Sequence, residues 1–222
     1  MKRPISVTMS KIPMIMEVTS PKDLSEVNLA ERVIFKLPMA LHKESDFLKH
    51  IDLANKAKLD KISSVENKLR FIKTRGLVNI LFLRDNGGAN PIWKLNEYGK
   101  PYIEGWDKDF SISHARDISV VALSSEAIGI DIEDIGRDID LEKFKRTGFL
   151  NFDEDAYNNK EEFLVRFTAL EAYLKYIGKG FYKDARAISV KKVNDAIVID
   201  DGKVIKAESI SDGAYTISIV KG

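Results

Sequence analysis

The sequence predicts an α+β protein, and three observations carry that prediction. The stretch Ile128-Gly129-Ile130-Asp131-Ile132-Glu133 alternates apolar and polar residues with the period of a strand. Two long segments, residues 64–83 and 161–177, place apolar residues at helical spacing. The β-rich runs around them are joined by short turns rather than by further helices, so the pattern is not an alternating βαβ chain.

Taken in order, residues 12–18 read as a first strand, and residues 21–43 show no dominant period. Residues 46–59 recur at helical spacing. The next helix is built on Val65, Leu69, Ile72, Gly76, Ile80 and Leu83, with Ser63 or Ser64 as its N-cap. The run Asp85-Asn86-Gly87-Gly88-Ala89-Asn90-Pro91 has the chemistry of a loop, and Glu97-Tyr98-Gly99-Lys100-Pro101 makes a second turn within residues 93–103. Strands are expected over 110–113 and 118–123, ahead of the Asp131 strand. In the helix over 161–177, Phe163, Phe167, Leu170, Leu174 and Ile177 form one apolar stripe, and Gly178 and Gly180 stop it. The chain then reads as a meander over 187–190, 196–199, 204–210 and 215–220, with Asp201-Gly202 and Asp212-Gly213 as hairpin turns.

Bulk properties narrow the functional classes. The chain has 222 residues, 31% of them charged and 44% hydrophobic, which fits one ordinary domain or two small ones. Its 35 basic residues are offset by 34 acidic ones, so no general nucleic-acid binding is expected. There is no cysteine, which excludes disulfides and thiolate metal sites and fits a reducing cytoplasm. No apolar run reaches the length of a membrane span, and the N-terminus lacks the apolar stretch of a secretory signal.

The chemistry-bearing residues fall into four groups. On the Asp131 strand, Ile128, Ile130 and Ile132 are expected to face a core. Gly129, Asp131 and Glu133 face the other way, with Gly129 leaving room beside the two acids. The carboxylates would lie roughly 7 Å apart, a repulsion that a hard cation between them relieves. The bland alternative is an edge strand with solvated acids. On the later helix, Glu171 and Lys175 are four apart and make an ordinary surface pair on their own. With Thr168 they form a polar strip. If that strip faces the Asp131 strand, three carboxylates and one ammonium converge in a way that suits a Mg-bound polyphosphate. Ser113 and His114 end a strand as two donors suited to phosphate, although no acid–His–Ser spacing for a hydrolase is readable. Lys56, Lys58, Lys61, Lys68, Arg70, Lys73 and Arg75 crowd two helical segments as either a solvated face or an anion-binding patch, and Lys100 sits in a constrained turn.

Together these segments resemble the 4′-phosphopantetheinyl transferases, specifically the larger single-chain type that activates surfactin synthetase and similar megasynthases. The resemblance runs in order through Tyr98-Gly99-Lys100-Pro101, Phe110-Ser111-Ile112-Ser113-His114, Gly129-Ile130-Asp131-Ile132-Glu133 and Phe167-Thr168-Ala169-Leu170-Glu171-Ala172-Tyr173-Leu174-Lys175, followed by Gly178-Lys179-Gly180. Residues 70–75 are a looser likeness, and the whole covers residues 55–190. Single motifs of this kind are weak, but four in the right order are specific. The chain departs from the pattern at Leu170, where the family usually has Lys, at Phe167 for the commoner Trp, and at Thr74 for Gly.

The resemblance implies a pseudo-dimer of two similar α+β halves, residues 1–114 and 115–222, with coenzyme A in the cleft between them. It implies Asp131, Glu133 and Glu171 as ligands of Mg²⁺, with Mn²⁺ as an alternative. Glu171 would act as base toward a carrier-protein serine and Lys175 would act on the departing 3′,5′-ADP. Lys58, Arg70, Lys100, Ser113 and His114 would hold the nucleotide and its 3′-phosphate, and Glu154 would be a further acid near the site. The implied partners are coenzyme A and an apo acyl or peptidyl carrier protein, with no membrane, and the implied state is a cytoplasmic monomer. A Mg-dependent phosphohydrolase and a coenzyme A-binding protein with weakened catalysis are the alternatives. Leu170 is the feature that favours the latter.

Overall fold

The computed structural model of the chain describes residues 14–18, 20–39 and 44–222. The architecture is α+β. A four-stranded sheet has the order β1 (Met14–Glu17), β2 (Val33–Pro38), β6 (Ile118–Ser124), β5 (Asp109–Ala115). A six-stranded sheet has the order β7 (Ile128–Asp134), β12 (Tyr215–Lys221), β11 (Val204–Ser211), β10 (Ala196–Asp200), β9 (Ser189–Val193), β8 (Asn151–Phe152). A separate hairpin joins β3 (Trp93–Leu95) to β4 (Pro101–Ile103). The strand expected over 12–18 is β1, and the first two residues of that expectation lie outside the described residues.

Three apolar clusters set the layers. Long helix α3 (Val65–Asp85) covers one face of the first sheet, through Ile72, Leu77 and Leu81 against Phe35, Val121 and Leu123. Long helix α5 (Lys160–Tyr176) covers one face of the second sheet, through Phe163, Leu170 and Leu174. The remaining faces meet each other: Ile34, Val120 and Ala122 pack against Ile128, Ile130, Ile132, Ile217 and Ile219. The order is therefore helix, sheet, sheet, helix, with β6 buried along its whole length because it is covered on both sides. Each sheet also repeats one connection. A strand leads to a long helix, and a later antiparallel hairpin returns its last strand to the middle, giving β2-β6-β5 and β7-β12-β11. Because β6 pairs within the first sheet, the division between sheets falls between Ser124 and Ile128, not between residues 114 and 115.

Three local differences from the sequence expectation have physical causes. The helix expected over 46–59 is two pieces, α1 (Glu44–Leu48) and α2 (Leu53–Leu59), because Asp52 adopts an extended backbone and caps α2 by accepting from Asn55 N at 3.0 Å. Strand β2 shows no alternation because four of its six residues, Val33, Ile34, Phe35 and Leu37, are buried in one core or the other, as in a doubly buried strand. Helix α4 (Leu141–Thr147) has no buried residue and so no strong apolar stripe.

Gly129 was expected to leave room beside the acids. A Cβ built there would stand 1.9 Å from the Ala172 carbonyl oxygen and 2.4 Å from Tyr176 N, so the missing side chain admits the backbone of α5 instead. Among the described residues no helix is long and apolar enough to cross a membrane. Because helix backbone cannot yield as a side chain can, Gly129→Ala is expected to cost about 3 kcal/mol or more, measured by urea unfolding.

Candidate active site

The site is built on the free edge of β7. That strand pairs with β12 on one side, and its other edge meets side chains of β5 rather than a strand. Alternate residues of β5 do the work. Asp109 Oδ2 accepts from Ile128 N at 2.9 Å, Ser111 Oγ accepts from Ile130 N at 3.1 Å, and Ser113 Oγ donates to Asp131 Oδ1 at 2.6 Å. Backbone groups that would otherwise be orphaned at a buried edge are thus satisfied, and the side chain of Asp131 is fixed in the same register.

Across β7 lies α5. Asp131 Oδ1 accepts from Lys175 Nζ at 2.7 Å, and the same ammonium donates to Ser113 Oγ at 2.9 Å. Asp131 Oδ2 is buried without a hydrogen-bond partner. Glu133 is partly buried and accepts from Arg137 at 2.6 Å. Burial raises its carboxyl above the ordinary value, against the pull of Arg137. Glu171 is pushed up to about 7, first by burial, then by the charges of Asp131 and Glu133, with Lys175 opposing. The three acids therefore feel one another. Lys175 stands on Asp131, and no three acids or imidazoles among the described residues form a ready-made metal group.

Beside this cluster opens a cavity of about 570 Å³, a size suited to a cofactor-like ligand. Its lining includes Arg70, Thr74 and Arg75 of α3, Tyr98, Gly99 and Lys100 of the β3–β4 turn, Ile112 and His114 of β5, and Lys175. Burial, with the cations Arg70 and Lys175, holds the His114 imidazole below its ordinary value.

The structure thus brings Asp131, Glu133, Glu171, Lys175, Ser113, His114, Arg70 and Lys100 to one region spanning both sheets. It does not bring two other residues. Lys58 is exposed on α2 and is not part of the cavity lining. Glu154 is 84% exposed and paired with Lys145 at 2.7 Å on the exterior. Thr168 faces the second sheet, where it is fully buried with its hydroxyl 2.7 Å from Ser218 Oγ of β12, apart from the polar strip that it was read with. Leu170 is fully buried in the core beneath α5, so its difference from the usual Lys changes packing and not the charge of the cavity.

Asp109 and Ser111 were not singled out as functional. The polar residues Asp109, Ser111 and Ser113 alternate along one strand, and that period-two signal is present in the sequence.

Two acids thus share one face of β7 beneath α5, with a cavity beside them. Residues 127–219 match the 4′-phosphopantetheinyl transferase superfamily. This span contains the β7 acids and all of α5. The chain is also 34% identical over 114 residues to the 4′-phosphopantetheinyl transferase gsp of Aneurinibacillus migulanus, covering 50% of this chain and 48% of that protein. It is 32% identical over 116 residues to the 4′-phosphopantetheinyl transferase of Bacillus subtilis, covering 49% of this chain and 52% of that protein. The chain thus spans about half the length of the curated relatives it matches.

A carboxyl held near 7 binds its proton more tightly folded than unfolded, so the Glu171 environment costs stability as pH rises from about 4.5 to 7. In metal-free buffer, Glu171→Gln is expected to be more stable than the parent at pH 8 by on the order of 2 kcal/mol, with the gap closing toward pH 4.5. Melting curves at the two pH values check this.

Proposed function

We propose that this protein transfers the 4′-phosphopantetheine group of coenzyme A to a serine of an apo acyl or peptidyl carrier protein, releasing 3′,5′-ADP. The observation that carries the reading is the grouping of Asp131, Glu133 and Glu171 around Lys175, whose side chain also lines a cofactor-sized cavity walled by α3, the β3–β4 turn, β5 and the end of α5. The superfamily match over residues 127–219 and the names of the two relatives support it. The repeated strand–helix–hairpin connection supports reading the chain as two related halves with the ligand between them.

The acids fit a divalent cation. The donors are all carboxylate oxygens, one oxygen of Asp131 is buried with no partner, and the Glu171 charge is resisted by its two neighbours. Asp131, Glu133 and Glu171 would hold Mg²⁺, or Mn²⁺, with phosphate oxygens of the ligand completing the shell. The ion, when bound, neutralises charge on the pyrophosphate.

This chain's own residues supply the rest. The cavity wall orients the nucleotide, with Arg70 of α3, Lys100 of the β3–β4 turn and His114 of β5 lining it. The serine oxygen forms a bond to the β-phosphorus while the bond from that phosphorus to the oxygen of the leaving 3′,5′-ADP breaks. Glu171 accepts the serine proton. Lys175, released from Asp131 or shared with it, balances charge on the leaving phosphate. Ser113 keeps Asp131 and Lys175 in register. We place the reaction in the cytoplasm and read the protein as a monomer, since the residues that line the cavity all come from one chain.

Incubating an apo carrier protein with this protein, coenzyme A and Mg²⁺ is expected to add one phosphopantetheine arm by mass. Glu171→Gln should lower that rate by at least about a hundredfold with the fold retained. Release of pantetheine phosphate without any carrier would point to the hydrolase reading instead, and near-normal transfer by Glu171→Gln would remove Glu171 as the base.

A further inference from the structure

Most cations lining the cavity are already neutralised from within the protein. Lys100 Nζ donates to Asp109 Oδ2 at 2.5 Å and to the Ile128 carbonyl at 3.1 Å, and the two paired side chains are only 16% and 24% exposed. Arg70 pairs with Glu66 and also donates to the Arg116 carbonyl and to Asn67. Lys175 pairs with Asp131. Burial and the nearby Arg70 and Lys175 hold the His114 imidazole below its ordinary value. Arg75 is the one lining cation without an ion pair among the described residues. The Trp93 ring lies 4.2 Å and the Phe71 ring 5.4 Å from its guanidinium, and its Nη1 is sealed from solvent.

A phosphate gains much from a free ammonium and little from one that a carboxylate already balances, because it must displace that carboxylate or settle against a nearly neutral pair. Coenzyme A carries a 3′-phosphate that its 3′-dephospho form lacks. We propose that the cavity holds the adenosine end with little dependence on the 3′-phosphate, and that Asp109 sets this property by holding Lys100 against β7. The inference rests on the coenzyme A reading and names the donor range of that same site.

Asp109 does two separable things. Its carboxylate caps the Ile128 N–H, which an amide oxygen also does, and its charge balances Lys100, which an amide does not. Asp109→Asn therefore keeps the seal of the β7 edge and frees the ammonium.

The test is calorimetric titration with AMP and with adenosine 3′,5′-bisphosphate, alongside transfer from coenzyme A and from 3′-dephospho-coenzyme A. The parent protein is expected to bind the two nucleotides within about fivefold of each other, and Asp109→Asn to favour the bisphosphate by at least about tenfold more than the parent does. The double variant Asp109→Asn/Lys100→Met should return the ratio between the nucleotides to the parent's, since it removes both charges of the pair together. A hundredfold preference for the bisphosphate in the parent, a gain in that preference kept by the double variant, or an unchanged ratio in folded Asp109→Asn overturns the inference, as does failure of both nucleotides to bind. Transfer from coenzyme A with a hundredfold poorer 3′-dephospho donor would also sink it while leaving the proposed reaction standing. Equal nucleotide binding with transfer from neither donor would remove the reaction and leave the charge-balanced cavity.

Discussion

Strand β7 is held from three sides, and the site exists only because all three contacts close at once. Its apolar face joins the core between the sheets. Its free edge is sealed by Asp109, Ser111 and Ser113 of β5. Its polar face touches the backbone of α5 at Gly129, where any side chain would collide. Loss of one contact would let the strand shift, and a one-residue slip would exchange Asp131 for an isoleucine at the polar face. The same close approach that excludes a Cβ at Gly129 brings Glu171 and Lys175 over the two acids.

The charges at this place are costly for a protein that only needs to fold. Asp131 shares one oxygen with Lys175 and Ser113 while its other oxygen is buried without a partner. Glu171 is buried next to two like charges. A half-satisfied buried network of this kind destabilises the folded state, and such costs gather where a ligand makes them good. By contrast, fully buried Arg166 is matched by Asp153 at 2.5 Å and Glu162 at 2.6 Å, a balanced group that asks for no ligand.

Much of this was legible in the sequence, and the reason is periodicity. The alternation around Asp131 and the 3.6-residue spacing in α3 and α5 follow directly from one buried face each. The i,i+4 spacing placed Glu171 and Lys175 together, but only the packing of α5 showed which sheet they face. Elements without a one-sided pattern were hidden: β2 is covered on both sides, and α4 is buried on none. The boundary between the sheets was hidden because β6 pairs across a long stretch of chain with β2, which no local signal reports. Lys58 shows the limit of reading a basic run, since charge density along a helix does not say which side of it faces a cavity.

The most direct measurement is the binding of Mn²⁺, followed by its paramagnetic resonance, in the presence of coenzyme A. The proposed hold of Asp131, Glu133 and Glu171 on a cation predicts one tightly held ion once coenzyme A is bound, and Asp131→Asn should weaken it by at least about tenfold while leaving the fold unchanged. An ion that binds equally well to Asp131→Asn, or no bound ion with coenzyme A in place, would mean that the convergence of β7 and α5 serves some other end.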